Sequence, residues 1–267
     1  MMRGMRVLPA SAGRMAGVIA GLLAGILSAG AIAWPAMAAP ECDVPAYLLT
    51  TESRLDKVAA AVERERRLNV LVVGTGSSSL PGAGEAAKAY PARLELALRA
   101  RLPGVAVRVT AEILSTTPAE AMAPRLPALL ATHKPDLAIW QTGTTDAIRA
   151  IDPEDFRDAV DDGVAAIRQT GADVLLINPQ YSPRLETMIS LTPYLDRMRM
   201  VAQQHDVPLF DRFAIMQHWN ESGAFDLFGP VKGLEMAHAV HDCLGRALAI
   251  FVLDAARIDP TSLRIKQ

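Results

Sequence analysis

Five short runs of apolar, largely β-branched residues recur along the chain, at 68–75, 105–110, 137–142, 173–178 and 207–210, with stretches of helical character between them. Most of these runs are near-continuously apolar rather than alternating, so both faces of those strands must be covered. That is the condition of a parallel sheet held between helices. Helices are predicted over 91–102, 118–132, 153–170, 193–204 and 235–254. Pro91 suits a first turn, and Pro103-Gly104 stops the helix it opens. Asp152-Pro153 reads as an N-cap followed by proline at the first helical position. The 267 residues hold no internal repeat and no Gly/Ser linker, so one α/β domain with a parallel five-stranded sheet is expected. Function in such sheets gathers in the loops beyond the strand C-termini.

Hydrophobic residues make up 51% and charged residues 21%, which excludes a disordered chain. Residues 1–40 carry Arg3, Arg6 and Arg14 and no acid, then run uncharged from 15 to 40 through Ala36-Met37-Ala38-Ala39. A basic start, an apolar run and small residues at its end are the marks of an export signal, with cleavage after Ala38 or Ala39. The run is also long enough to stay in a bilayer as an anchor. The expected organisation is a signal peptide or N-terminal anchor over 1–38 and a single domain over 39–267. The body is expected to be periplasmic or secreted, or held at the inner membrane, which it would touch only through an uncleaved N-terminal segment. That body has 24 basic and 29 acidic residues, a net of −5. It lacks the basic footprint of a nucleic-acid binder.

The two cysteines, Cys42 and Cys243, lie near the two ends of the body. In an oxidising compartment they can close one long loop, worth roughly 4–5 kcal/mol in the chain-entropy treatment. The alternative is a pair of buried thiols that never meet. No Cys/His spacing resembles a structural zinc site, and neither a metal nor an organic cofactor is indicated.

Two loops stand out, Gly74-Thr-Gly-Ser-Ser-Ser-Leu-Pro-Gly82 after the first strand and Gly143-Thr-Thr-Asp146 after the third. A serine on a tight turn at a strand end can be aimed at a substrate while backbone N–H groups stabilise an oxyanion. A phosphate-cradling loop needs Gly-Lys-Ser/Thr, and no lysine occurs here before Lys88. A dinucleotide fingerprint needs a third glycine where Ser79 stands, and the α/β-hydrolase elbow needs glycine where Leu80 stands.

Gly76-Ser-Ser-Ser-Leu-Pro-Gly82 resembles the first block of the SGNH/GDSL hydrolases, with serine in place of the aspartate. Tyr90-Pro-Ala-Arg-Leu-Glu-Leu-Ala-Leu-Arg99 is similar to the helix that follows it there. Ile139-Trp-Gln-Thr-Gly-Thr-Thr-Asp146 resembles the third block, normally Gly-x-Asn-Asp, and Pro179-Gln-Tyr-Ser-Pro183 and Leu209-Phe-Asp-Arg-Phe-Ala-Ile-Met216 resemble exported bacterial members. The resemblance covers 42–253. It implies a flavodoxin-like three-layer α/β/α sandwich and, in active members, ester hydrolysis.

Active members need a serine nucleophile, a glycine and an asparagine for the oxyanion, and a late Asp-x-x-His pair. Ser78 fits the nucleophile and Gly76 its turn. Ser115-Thr116-Thr117 fills the second block, where no glycine occurs between Gly104 and Gly143, and Thr145 stands for the asparagine beside Gly143 and Asp146. Losing one oxyanion donor costs about 2.7–4 kcal/mol. Aligned on Cys243, the last block reads Lys232-Gly-Leu-Glu235, which has no imidazole base. Shifted by three residues it reads Glu235-Met-Ala-His238, in which Glu235 would orient His238 and His238 would serve Ser78. His241 falls one turn further, and Asp226 has no histidine three residues on.

The leading expectation is an exported SGNH-like protein with a degenerate site. It would bind or help assemble a glycan or acylated envelope component without efficient turnover. The alternatives are an active serine ester hydrolase of the carbohydrate O-deacylase type, using Ser78, His238 and Glu235, and a membrane-anchored scaffold.

Overall fold

The computed structural model describes residues 42–229 and 233–261, so the expected signal or anchor over 1–38 and the expected pocket residue Lys232 lie outside the described residues. Helix α1 (Asp56–Ala60) continues through one wide turn into β1 (Arg67–Gly74). A strap of short turns then leads to α2 (Tyr90–Arg101) and β2 (Ala106–Ile113). Helices α3 (Ala119–Met122) and α4 (Leu126–His133) precede β3 (Leu137–Gln141), and α5 (Thr144–Ile148) and α6 (Pro153–Gln169) precede β4 (Asp173–Ile177). Next come α7 (Pro183–Glu186), α8 (Thr192–Gln204) and the two-residue β5 (Leu209–Phe210), then α9 (Arg212–Glu221) and α10 (Glu235–Ala255).

All four strand pairings are parallel, in the order β2-β1-β3-β4-β5. This is the doubly wound order of the flavodoxin-like sandwich, whose switch point lies between β1 and β3. Strand β1 shows why its sequence carries no polar alternation. Successive side chains point to opposite faces, so Val70 and Val72 enter one core with Leu98 of α2 and Leu248 of α10. Leu71 and Val73 enter the other core with Trp140, Phe156 and Val164. Each such side chain contributes about 1.5–3 kcal/mol through burial.

The predicted N-cap at Asp152 is present, its carboxylate accepting the Glu154 N–H. The single helix expected over 118–132 is instead α3, a tight turn and α4, because Pro124 and Pro127 each remove a donor within the segment. Helices α1 and α9 were not expected.

Cys42 and Cys243 form a disulfide with a Cα–Cα distance of 5.3 Å, which decides between the two readings of the cysteines. The segment it ties down is also stitched to the domain by polar contacts. Trp219 Nε1 donates to the Asp43 carbonyl, the Leu55 N–H to the Ala255 carbonyl, and Arg257 to the Thr51 carbonyl.

Candidate active site

The loop after β1 turns sharply, and Gly74 permits it. A Cβ at Gly74 would lie 2.2 Å from Ser78 Oγ, so only glycine lets the serine fold back over the end of its own strand. The result is a serine only 1% exposed. Its hydroxyl donates to Gln141 Oε1 at 2.8 Å and lies 2.9 Å from Tyr90 Oη. Because the serine proton is committed to the amide oxygen, the Tyr90 hydroxyl is the donor in the second contact.

Gln141, the last residue of β3, is the hub of the site. Its Oε1 also accepts the Thr75 N–H at 3.0 Å, the Thr75 hydroxyl at 3.0 Å and the Ser77 hydroxyl at 3.3 Å. The backbone donor fixes which end of the amide faces the loop, since an N–H needs an acceptor. Gln141 Nε2 is left buried without a partner among the described residues.

Arg212, the first residue of α9, reaches this cluster from the far side of the sheet switch. It is 1% exposed and donates to the Ser77 carbonyl at 3.2 Å and the Ser77 hydroxyl at 3.1 Å, while its Nε has no partner among the described residues. No carboxylate pairs with it among the described residues, and burial pushes its pKa down to about 10. Burial also holds the Tyr90 phenol above its ordinary value, against the opposing pull of the nearby Arg212.

Two histidines of α10 approach this region in different ways. His241 accepts the Tyr90 N–H at Nδ1, 3.0 Å away, so its proton sits on Nε2. Burial lowers its pKa to about 4, with the Arg212 and His238 charges adding to the effect. His238 is held elsewhere, with Nε2 2.5 Å from Glu85 of the strap, which also bonds Lys88. Those bonds, Lys88 first, lower the Glu85 pKa.

The expected Ser78–His238–Glu235 set is therefore not assembled in this arrangement. Ser78 faces Gln141 and Tyr90, and the carboxylate on His238 is Glu85 rather than Glu235.

The other expected pocket residues divide by role. Ser115 faces the loop, since a Cβ on Gly76 would lie 3.9 Å from its Oγ. Thr116 adopts a left-handed backbone and its carbonyl accepts from Arg149. Thr145 is buried in the first turn of α5. Gly143 and Asp146, expected to face a ligand, are instead structural. The Gly143 N–H is spent on Asp146 Oδ2 at 3.2 Å, and Asp146 Oδ1 accepts the Ala119 N–H at 2.8 Å. Asp146 is fully buried as a backbone cap between two loops, and burial raises its pKa despite those bonds.

A cavity of about 510 Å³ opens beside the cluster, between the loop after β4, helix α9 and the start of α10. Tyr181, Met216, Leu227, Glu235, Met236 and His241 are among its walls. No group of three or more metal-binding side chains occurs among the described residues.

The family model of the Non-GDSL lipase-like family matches residues 41–258. The chain belongs to that family. Its name fits the first block, where the aspartate of the GDSL signature is Ser77. Among solved structures, the chain is similar to TesA at 26% identity, with a TM-score of 0.51 over 68% of this chain and 93% of that one. A variant of Axe2, an acetyl xylan esterase from Geobacillus stearothermophilus, aligns at 17% identity and TM-score 0.56 over 69% and 94% of the two chains. LAE5, an α/β hydrolase enzyme from the metagenome of Lake Arreo, Spain, aligns at 21% and 0.55 over 70% and 96%. No curated protein matches the sequence. These likenesses establish the SGNH-type sandwich around the cluster described above.

Tyr90, Gln141 and Arg212 went unassigned from the sequence. Tyr90 and Gln141 fall inside the two stretches that resemble family blocks, and Arg212 lies in Leu209-Phe-Asp-Arg-Phe, so the signal was positional rather than chemical.

Proposed function

We propose that this Non-GDSL lipase-like protein is exported and binds a glycan or acylated envelope component without efficient turnover. The observation that carries this reading is the destination of the Ser78 proton. It is donated to the oxygen of Gln141, and an amide oxygen cannot take a proton near neutrality, so among the described residues no side chain hydrogen-bonded to Ser78 can serve as its general base. The Tyr90 hydroxyl faces Ser78 as a donor, and its raised pKa keeps it protonated. The serine is retained as part of a buried hydrogen-bond network. The neighbouring cavity supports a binding role, since Gln180, Ser182, Asp226 and Glu235 offer polar contacts for hydroxyls beside the face of Tyr181. The disulfide is consistent with an oxidising compartment.

The test is hydrolysis of p-nitrophenyl acetate by the mature protein beside Ser78→Ala and His238→Ala, with labelling by a fluorophosphonate. The expected result is a rate matching Ser78→Ala and no labelled serine. One observation favours the alternative of an active ester hydrolase, because the Glu85–His238 pair is an imidazole already held by a carboxylate. Activity abolished by both substitutions would establish that alternative.

A further inference from the structure

Strand β2 forms one edge of the sheet and pairs with β1. Its residues divide by parity. The Ala106 N–H donates to the Arg66 carbonyl and the Leu114 N–H to the Gly74 carbonyl, so the even positions turn their backbone groups toward β1. The odd positions turn theirs outward. Side chains of α2 cover the first half of that outward edge. Glu95 accepts the Val109 N–H at 2.7 Å, and Arg99 donates to the Val107 carbonyl at 2.9 Å. The two are paired with each other at 2.8 Å and stand where a further strand would stand. Charged cover of this kind keeps an edge from pairing indiscriminately.

The second half has no such cover. Among the described residues nothing bonds the outward N–H and C=O groups of Ala111 and Ile113. They open on a groove of about 740 Å³ between β2, the strap and the first turns of α2. Ala86, Ala87 and Ala92 line it, side chains too short to fill it, together with Leu96, which is 54% exposed. The odd side chains of β2 lie on the α2 side, where Val107 and Val109 join the core. Arg108, Thr110 and Glu112 point to the opposite face. Glu112 is 2.9 Å from His133, whereas Arg108 is exposed and has no ion-pair or hydrogen-bond partner among the described residues. A donor and an acceptor on each of two alternate residues are the complement of another extended backbone. The free cation beside them favours an acidic one.

We propose that this half of the edge accepts an extended acidic peptide as a sixth strand, antiparallel to β2. Two of its alternate residues exchange hydrogen bonds with Ile113 and Ala111, and their side chains lie against the alanine wall. The next residue, a carboxylate, comes within reach of Arg108, and Glu95 on the Val109 N–H stops the strand there. The inference goes beyond the reading of Ser78 and does not rest on it.

The test is an amide-resolved NMR titration of the mature protein with the blocked peptide acetyl-Val-Thr-Val-Glu-amide. The Ala111 and Ile113 amides are expected to shift saturably and to gain protection from hydrogen exchange. N-methylation of the second valine, whose N–H meets the Ala111 carbonyl, is expected to weaken binding on the order of tenfold or more. N-methylation of the threonine, whose N–H points away from β2, is expected to cost far less. Ala111→Pro removes an outward donor without touching the ladder to β1, and abolishes binding. The two N-methyl peptides decide the matter even if that variant fails to fold. With Arg108→Glu the preference reverses, a Lys-ended peptide binding more tightly than the Glu-ended one. No saturable shift at these amides, equal loss from either N-methyl group, undiminished binding to Ala111→Pro, or a charge preference indifferent to Arg108→Glu overturns the proposal.

Discussion

Gln141 shows how a single side chain can gather a loop of hydroxyls around a buried serine. Four donors converge on its oxygen, two of them from Thr75 and one each from Ser77 and Ser78. From the sequence, Ser78 could be placed because its glycine-bounded turn is a local pattern. Gln141 could not, since its role depends on β3 lying against β1, which residue type alone does not announce. Arg212 and His241 were equally silent, because a buried cation and a neutral imidazole are defined by what surrounds them. His241 also makes stability depend on pH. Its pKa of about 4 in the fold lies below the ordinary 6.5, so between those values the unfolded chain holds the extra proton. Stability is complete above 6.5 and falls as the pH drops toward 4, by about 3 kcal/mol from this group. Asp146 and Asp173, whose pKa values burial raises, act in the opposite direction. Urea denaturation of wild type beside His241→Gln across pH 7.5 to 4 isolates the histidine, because the aspartates are common to both. The expected result is a shallower acid decline in the variant, and parallel curves would refute it.

At the scale of elements, the strands and the caps were legible and the junctions were not. Apolar runs located all five strands, and Asp152-Pro153 located the start of α6, since both signals are local. The break between α3 and α4 turns on Pro124 and Pro127, which each remove a backbone donor. Helix α9 lacks a clean apolar stripe, as Arg212 sits on its buried face, so periodicity passed over it. A close backbone-to-backbone approach joins α10 to α2. A Cβ at Gly245 would stand 2.8 Å from backbone atoms of Arg93 and Leu94, which cannot give way as a flexible side chain can. Gly245→Ala should therefore cost about 1–3 kcal/mol or more through overpacking, despite the helix preference of alanine. Thermal denaturation checks this, and an unchanged or raised Tm would show that the helices can part freely.

At the scale of the molecule, the 2-1-3-4-5 sheet order brings the loops of β1, β3, β4 and β5 to one end, so the cluster and the cavity share a neighbourhood while drawing on residues from 75 to 241. That convergence followed from the α/β alternation; which side chains would meet there did not. The disulfide spans a sequence separation of 201. Cys42→Ser with Cys243→Ser should lower stability by about 2–5 kcal/mol, read as a fall in the urea midpoint against the oxidised parent. An unchanged midpoint would mean that the polar contacts from Asp43 to Leu55 suffice alone. Joining residue 42 to 243 also turns nearly the entire domain into a covalent ring. A single proteolytic nick in the exposed strap between Pro81 and Lys88 would open that ring without releasing either piece. The cut protein would gain only the mass of one water, part into fragments only under reduction, and hold its two strand sets together.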